Sequence, residues 1–131
     1  MNAGDPVYQM LDRVQLPSDL GRPEVMSVTI ELEPGSQGSP PHRHSGPVFG
    51  YMIEGELIFE LEGEQERVIR SGEAFWEPGG SLVHWRAANN LSDGYTKFVA
   101  VMLCVPGEPM LTYLTQEEIA ERQPLRARRS E

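Results

Sequence analysis

Hydrophobic and polar positions alternate with a period of two along most of this chain. From Glu24 the run VMSVTIELEPG sets Met26, Val28, Ile30 and Leu32 against Val25, Ser27, Thr29 and Glu31, the mark of a strand with one buried face. Pro34 and Gly35 end it. The stretch VFGYMIEGELIFELEG holds two β-rich runs about Gly55, in which Leu57, Phe59 and Leu61 alternate with Glu56, Ile58, Glu60 and Glu62. This predicts a hairpin with one acidic, wet side. A turn at Gly63, the strand ERVIR, a turn at Ser71-Gly72 and the strand EAFWEP follow. Short strands joined by tight turns predict an antiparallel barrel or sandwich. LVHWRAA reads as a further strand, NNLSDG as a loop, YTKFVAVMLCV as a long strand buried on both faces, and PGEP as the close of the sheet region. One helix is predicted, where Thr115 and Glu118 form a capping-box pattern ahead of Ile119 and Ala120 and Gln123-Pro124 stops the run.

A length of 131 residues has room for a single core. The expected organisation is an arm or edge segment over 1–22, the β-rich body over 23–114, and a short helix with a charged tail over 115–131. A net charge of -9, with Lys97 the one lysine, works against phosphate backbones and anionic membrane surfaces. The expectation is therefore no nucleic-acid and no membrane partner. Arg122, Arg126, Arg128 and Arg129 crowd the C-terminus and read as a solvated tail. The acidic, polar start lacks the pattern of a secretion signal, so a cytoplasmic location is expected. Cys104, within FVAVMLCV, reads as a buried structural thiol. The exposed edges of a small sheet make a homodimer the expected assembly.

The chemistry concentrates in three histidines. His42 and His44 flank Arg43 at the mouth of a strand, and residues two apart in an extended chain face the same way, so both imidazoles can meet one ion. His84 follows a Pro-Gly-Gly turn and is placed to approach from across a barrel. Three imidazoles leave positions open for water or substrate. Taken alone, an HxH pair is more often polar surface than a metal site.

The surrounding residues tip that balance. GSPPHRHSGPVFGYMIEGEL and GEAFWEPGGSLVHWRAANN, between Gly38 and Asn89, resemble the two motifs of the cupin superfamily, and every histidine falls on a ligand position of that pattern. The resemblance implies an all-β fold, an antiparallel jelly-roll barrel with a short C-terminal helix over this chain, holding one divalent transition metal (iron, zinc, nickel, manganese or copper). Two departures stand out. Where the pattern has a glutamate ligand this chain has Val48, and one extra residue separates Gly80 from His84. By strand parity Val48 faces inward with the histidines, and a bulge is the natural way to absorb the extra residue.

By resemblance, loss of that glutamate leaves the three-histidine arrangement of cupin thiol and diketone-cleaving dioxygenases. Three neutral imidazoles leave the full charge on the ion, which favours an enolate, carboxylate or thiolate as the next ligand. The expected activity is that of a metal-dependent enzyme on a small oxygen-rich, anionic or enolisable molecule, with an iron dioxygenase in front. A non-redox isomerase, cyclase or lyase, and a non-catalytic ligand-binding barrel, stand as alternatives. Val48, Met52, Trp76, Phe98 and Met102 are expected to line the pocket. Arg86, sharing parity with His84, is placed to meet a substrate carboxylate. Glu77 is the candidate replacement carboxylate, as ligand or base.

Overall fold

The computed structural model describes residues 21–128 and a few isolated positions before them. The expected arm over 1–22 therefore lies almost wholly outside the described residues. The strands are β1 (Glu24–Leu32), β2 (His42–His44), β3 (Val48–Glu54), β4 (Glu56–Leu61), β5 (Arg67–Arg70), β6 (Ala74–Glu77), β7 (His84–Asn89), β8 (Thr96–Cys104) and β9 (Leu111–Tyr113). They form two antiparallel sheets, in the orders β1-β8-β3-β6 and β5-β4-β7-β2-β9. Helix α1 (Gln116–Arg122) and a 3-10 turn (Gln123–Leu125) complete the described chain. No helix among the described residues is long and apolar enough to cross a membrane.

The period-two pattern becomes the interior between the sheets. Met52, Leu57, Phe59, Leu61, Ile69, Phe75 and Phe98 form one buried cluster, and Val48, Ala100, Met102 and Cys104 a second beside it. Val28 and Ile30 of β1 pack against them. Each buried aliphatic or aromatic side chain contributes roughly 1.5–3 kcal/mol, which makes these inward faces the main stabilising feature. A satellite cluster of Val83, Trp85 and Leu114 lies under Ile119 of α1.

Several expectations change in three dimensions. The runs on either side of Gly55 are not a hairpin: β3 belongs to the first sheet and β4 to the second. The chain crosses between layers there, and the hairpin partner of β4 is β5. Strand β8 buries only Thr96, Phe98, Ala100, Met102 and Cys104, while its other face is half-buried. The sheet region does not close at the PGEP turn either, because β9 follows and pairs with β2. Local hydrophobicity cannot tell a crossing from a hairpin, since both present two alternating runs around a turn.

Two of the C-terminal arginines, Arg122 and Arg126, are anchored rather than solvated, while Arg128 is exposed and Arg129 lies outside the described residues. Arg122 binds Glu62, its Nε donating to Oε2 at 2.9 Å. Arg126 donates to both oxygens of Glu60, at 2.8 and 2.6 Å, and its guanidinium lies 4.7 Å from the Trp85 ring centre. The supposed wet side of β4 is thus covered, and Glu60 is buried. The capping box at Thr115 forms as the pattern predicts.

Candidate metal centre

Strand pairing assembles the three histidines. His42 of β2 stands directly opposite His84 of β7, and His44 follows two residues on along the same face. The third imidazole therefore comes from the neighbouring strand of the same sheet, not from across the barrel. All three are buried, and one donor atom from each lies within 4.8 Å of the others. Opposite ligands of one ion at 2.1 Å bonds span about 4.2 Å, so small side-chain rotations suffice to close the set.

The outer nitrogen of each ring has a defined partner. His42 Nδ1 lies 2.8 Å from the carbonyl of Pro40, and His84 Nε2 lies 2.9 Å from the carbonyl of Arg86. A carbonyl only accepts, so each of these nitrogens carries the proton. His44 Nδ1 lies 3.3 Å from the thioether sulfur of Met110, also an acceptor. The nitrogens left with lone pairs are Nε2 of His42, Nε2 of His44 and Nδ1 of His84. Outer N–H groups tied to acceptors and bare inner nitrogens are the pattern that orients metal-binding imidazoles. His84 Nδ1 is also buried without a hydrogen-bond partner. Three buried imidazoles so arranged can bind a metal ion.

Burial disfavours the protonated form of two of these rings. It pushes His42 down to about 4, with the neighbouring imidazoles adding to the effect and the Pro40 carbonyl opposing it. Burial likewise lowers His44, against the pull of Glu77. Neutral imidazole is the form that coordinates.

Glu77 enters from the facing sheet and is 2% exposed. It is the register partner of Val48 on β3. Its Oε2 lies 3.0 Å from His84 Nδ1 and its Oε1 3.6 Å from His44 Nε2. Burial works to raise the Glu77 carboxyl, but the close contact with His84 and the electrostatic pull of His84, His44 and His42 outweigh it and hold it below its ordinary value.

The cluster opens into a cavity of about 320 Å³ between the sheets. Its walls are Val28, Ile30, Leu32, Val48, Leu57, Phe75, Phe98, Ala100 and Met102, with Met110 and Ser39 also on the lining. Val48, Phe98 and Met102 stand where parity places them. Met52 does not line the cavity but sits in the core with Phe75 and Phe98. Trp76 alternates outward from Glu77 and stacks on Phe49. Arg86 also points away, paired with Glu66 at 2.9 Å.

The reason for the last correction is a bulge. Leu61 pairs with His84 while Glu60 pairs with Arg86, leaving Trp85 without a counterpart. One extra residue reverses side-chain parity, so His84 faces in and Arg86 out. A wider groove of about 700 Å³ borders Arg86, Glu60, Glu64, Glu66 and Arg126 on the outer surface, but it holds none of the histidines. Met110, which supports His44, was not legible as a site residue; only its place after the PGEP turn marks it.

Two antiparallel sheets enclosing a buried triad of imidazoles beside an apolar cavity define a small β-barrel protein able to bind a metal. The family model of the cupin domain matches residues 28–102, and the chain belongs to the cupin family. Solved structures agree in fold. A conserved protein with a double-stranded β-helix domain from Klebsiella pneumoniae has a TM-score of 0.56 at 16% identity, covering 77% of this chain and 91% of that one. An RmlC-like cupin from Ralstonia eutropha has a TM-score of 0.57 at 19% identity, covering 76% and 57%. Oxalate oxidase in complex with the substrate analogue glycolate has a TM-score of 0.55 at 22% identity, covering 86% and 66%. The chain thus spans only about two thirds of the oxalate oxidase chain. No curated protein matches this sequence.

Proposed function

We propose that this cupin is a metal-dependent enzyme of oxygenase type acting on a small enolisable or phenolic molecule. The observation that carries the reading is the buried triad opening on a cavity whose walls are otherwise almost wholly apolar. A divalent ion held by His42, His44 and His84 would supply an electrophilic centre for a substrate oxygen and, if redox-active, a route for electrons between substrate and O₂. The apolar walls take the rest of a small substrate and exclude water, which strengthens polar contacts at the site. Among the described residues no lysine or arginine lines the cavity, so a second free carboxylate on the substrate would be buried without a counter-charge from them. This favours an enolate or phenolate over a dicarboxylate.

A second reading, a non-redox isomerase or lyase, draws support from Glu77, a buried carboxylate able to accept a proton if it is free of the ion. The experiment is anaerobic reconstitution with iron(II), zinc, manganese or nickel, followed by assay with pentane-2,4-dione, a small thiol and a phenol. Oxygen uptake matching substrate loss with iron, and none with zinc, is expected. Turnover that persists under argon with zinc would replace the first reading by the second. Binding of less than about a tenth of an equivalent of every metal by folded protein would sink both.

A further inference from the structure

We infer that Glu77 is a fourth ligand of the same ion, reaching it from the sheet that faces the histidines. This rests on the metal-site reading above. Two ligands bonded at about 2.1 Å to one ion lie about 3.0 Å apart when they subtend a right angle and about 3.6 Å apart at 120°. The Glu77 oxygens stand 3.0 Å from His84 Nδ1 and 3.6 Å from His44 Nε2. Those are the separations of neighbouring donors around a common centre.

Burial sharpens the point. Glu77 is 2% exposed and lines the same cavity as the three histidines, and a carboxylate taken out of water needs a cationic partner. His84 turns Nδ1 toward it while Nε2 faces the Arg86 carbonyl.

Register supplies the means of testing it. Val48 and Glu77 are direct partners on adjacent antiparallel strands, and both line the cavity. Directly opposed side chains stand about 5 Å apart, so a glutamate at 48 reaches the same region when position 77 is made apolar. Glu77 as ligand would also leave the ion with one less unit of net charge than three imidazoles alone.

Cobalt(II) is the probe, added to the full chain with the visible absorption spectrum and affinity both recorded. Glu77→Gln keeps the shape of the side chain, and the expected result is a loss of affinity of about tenfold or more with a changed spectrum. The double variant Val48→Glu/Glu77→Val is expected to recover most of that affinity. If the double variant does not fold, Glu77→Asp serves, with an altered spectrum expected from the shortened carboxylate. A Glu77→Gln protein that keeps the parent spectrum, whether or not its affinity falls, places Glu77 outside the coordination shell and overturns the inference while leaving the histidine site intact. Failure of the parent protein to bind cobalt or any other divalent metal would instead overturn the reading beneath it.

Discussion

Gly79 and Gly80 offer a controlled test of how the Pro-Gly-Gly turn holds the strand that carries His42 and His44 in place. Both adopt left-handed backbone, with φ of 74° and 70°, so replacing either by alanine costs about 1–2 kcal/mol for the conformation alone. Their surroundings differ. A Cβ on Gly79 would fall 2.1 Å from the carbonyl oxygen of Gly46, whereas one on Gly80 would meet nothing within 4 Å. Gly46 lies two residues beyond His44, and the Gly80 N–H donates to the His44 carbonyl at 2.8 Å. The obstacle at Gly79 is main chain, so the loop must move rather than a side chain turn aside, adding about 1–3 kcal/mol of overpacking. Gly79→Ala is expected to lose roughly 2–5 kcal/mol and Gly80→Ala about 1–2 kcal/mol. The assay is urea unfolding of the metal-free protein, followed by zinc titration of each folded variant. Zinc affinity should fall for Gly79→Ala, because the displaced loop directly follows His44, and stay near that of the parent for Gly80→Ala. Equal stability and equal zinc affinity in the two variants would refute the packing argument.

Other expectations follow from the same geometry. His42→Ala or His84→Ala should abolish stoichiometric zinc binding while circular dichroism keeps its β signature, since the hydrophobic core lies on other residues; full metal retention in either would dissolve the triad. In the metal-free protein, His42 is depressed from 6.5 to about 4, so the unfolded chain binds more protons between those values. Stability should be complete above about pH 6.5 and fall by up to about 3 kcal/mol as the pH drops toward 4, measurable as a falling urea midpoint; a flat profile would contradict a buried neutral His42. Arg126→Ala leaves Glu60 buried without its bidentate partner and removes the cation from the Trp85 face. A loss of about 2 kcal/mol is expected, and a thermal midpoint equal to that of the parent would show the C-terminal clasp to be idle.

The inward-facing Val28, Ile30 and Leu32 of β1, though not the exposed Met26, the inward face of β4, the helix cap at Thr115 and the burial of Cys104 are legible in the sequence because each depends on residues a few positions apart. Alternation assigns a side chain to one face or the other, and a capping box closes within one turn. The same reasoning fails where a long-range partner decides. Glu60 reads as solvated until Arg126 folds over it, and the two runs about Gly55 read as a hairpin until each finds a different sheet. A plain parity count turns Arg86 toward the site, and the bulge at Trp85 reverses it.

For the metal centre, the sequence by itself determined the candidate ligands, since the chain has only three histidines and the HxH spacing turns two of them to one side. Through its resemblance to the cupin motifs it also marked Val48 as standing where that pattern has a carboxylate. Tertiary structure alone decided that His42 and His84 face each other on adjacent strands, that Met110 supports His44, and that Glu77 reaches the cluster from the opposite sheet. Those relations depend on strand register and on the packing of one sheet over another. Both are set by the sum of contacts across the barrel, and no short window of sequence contains them.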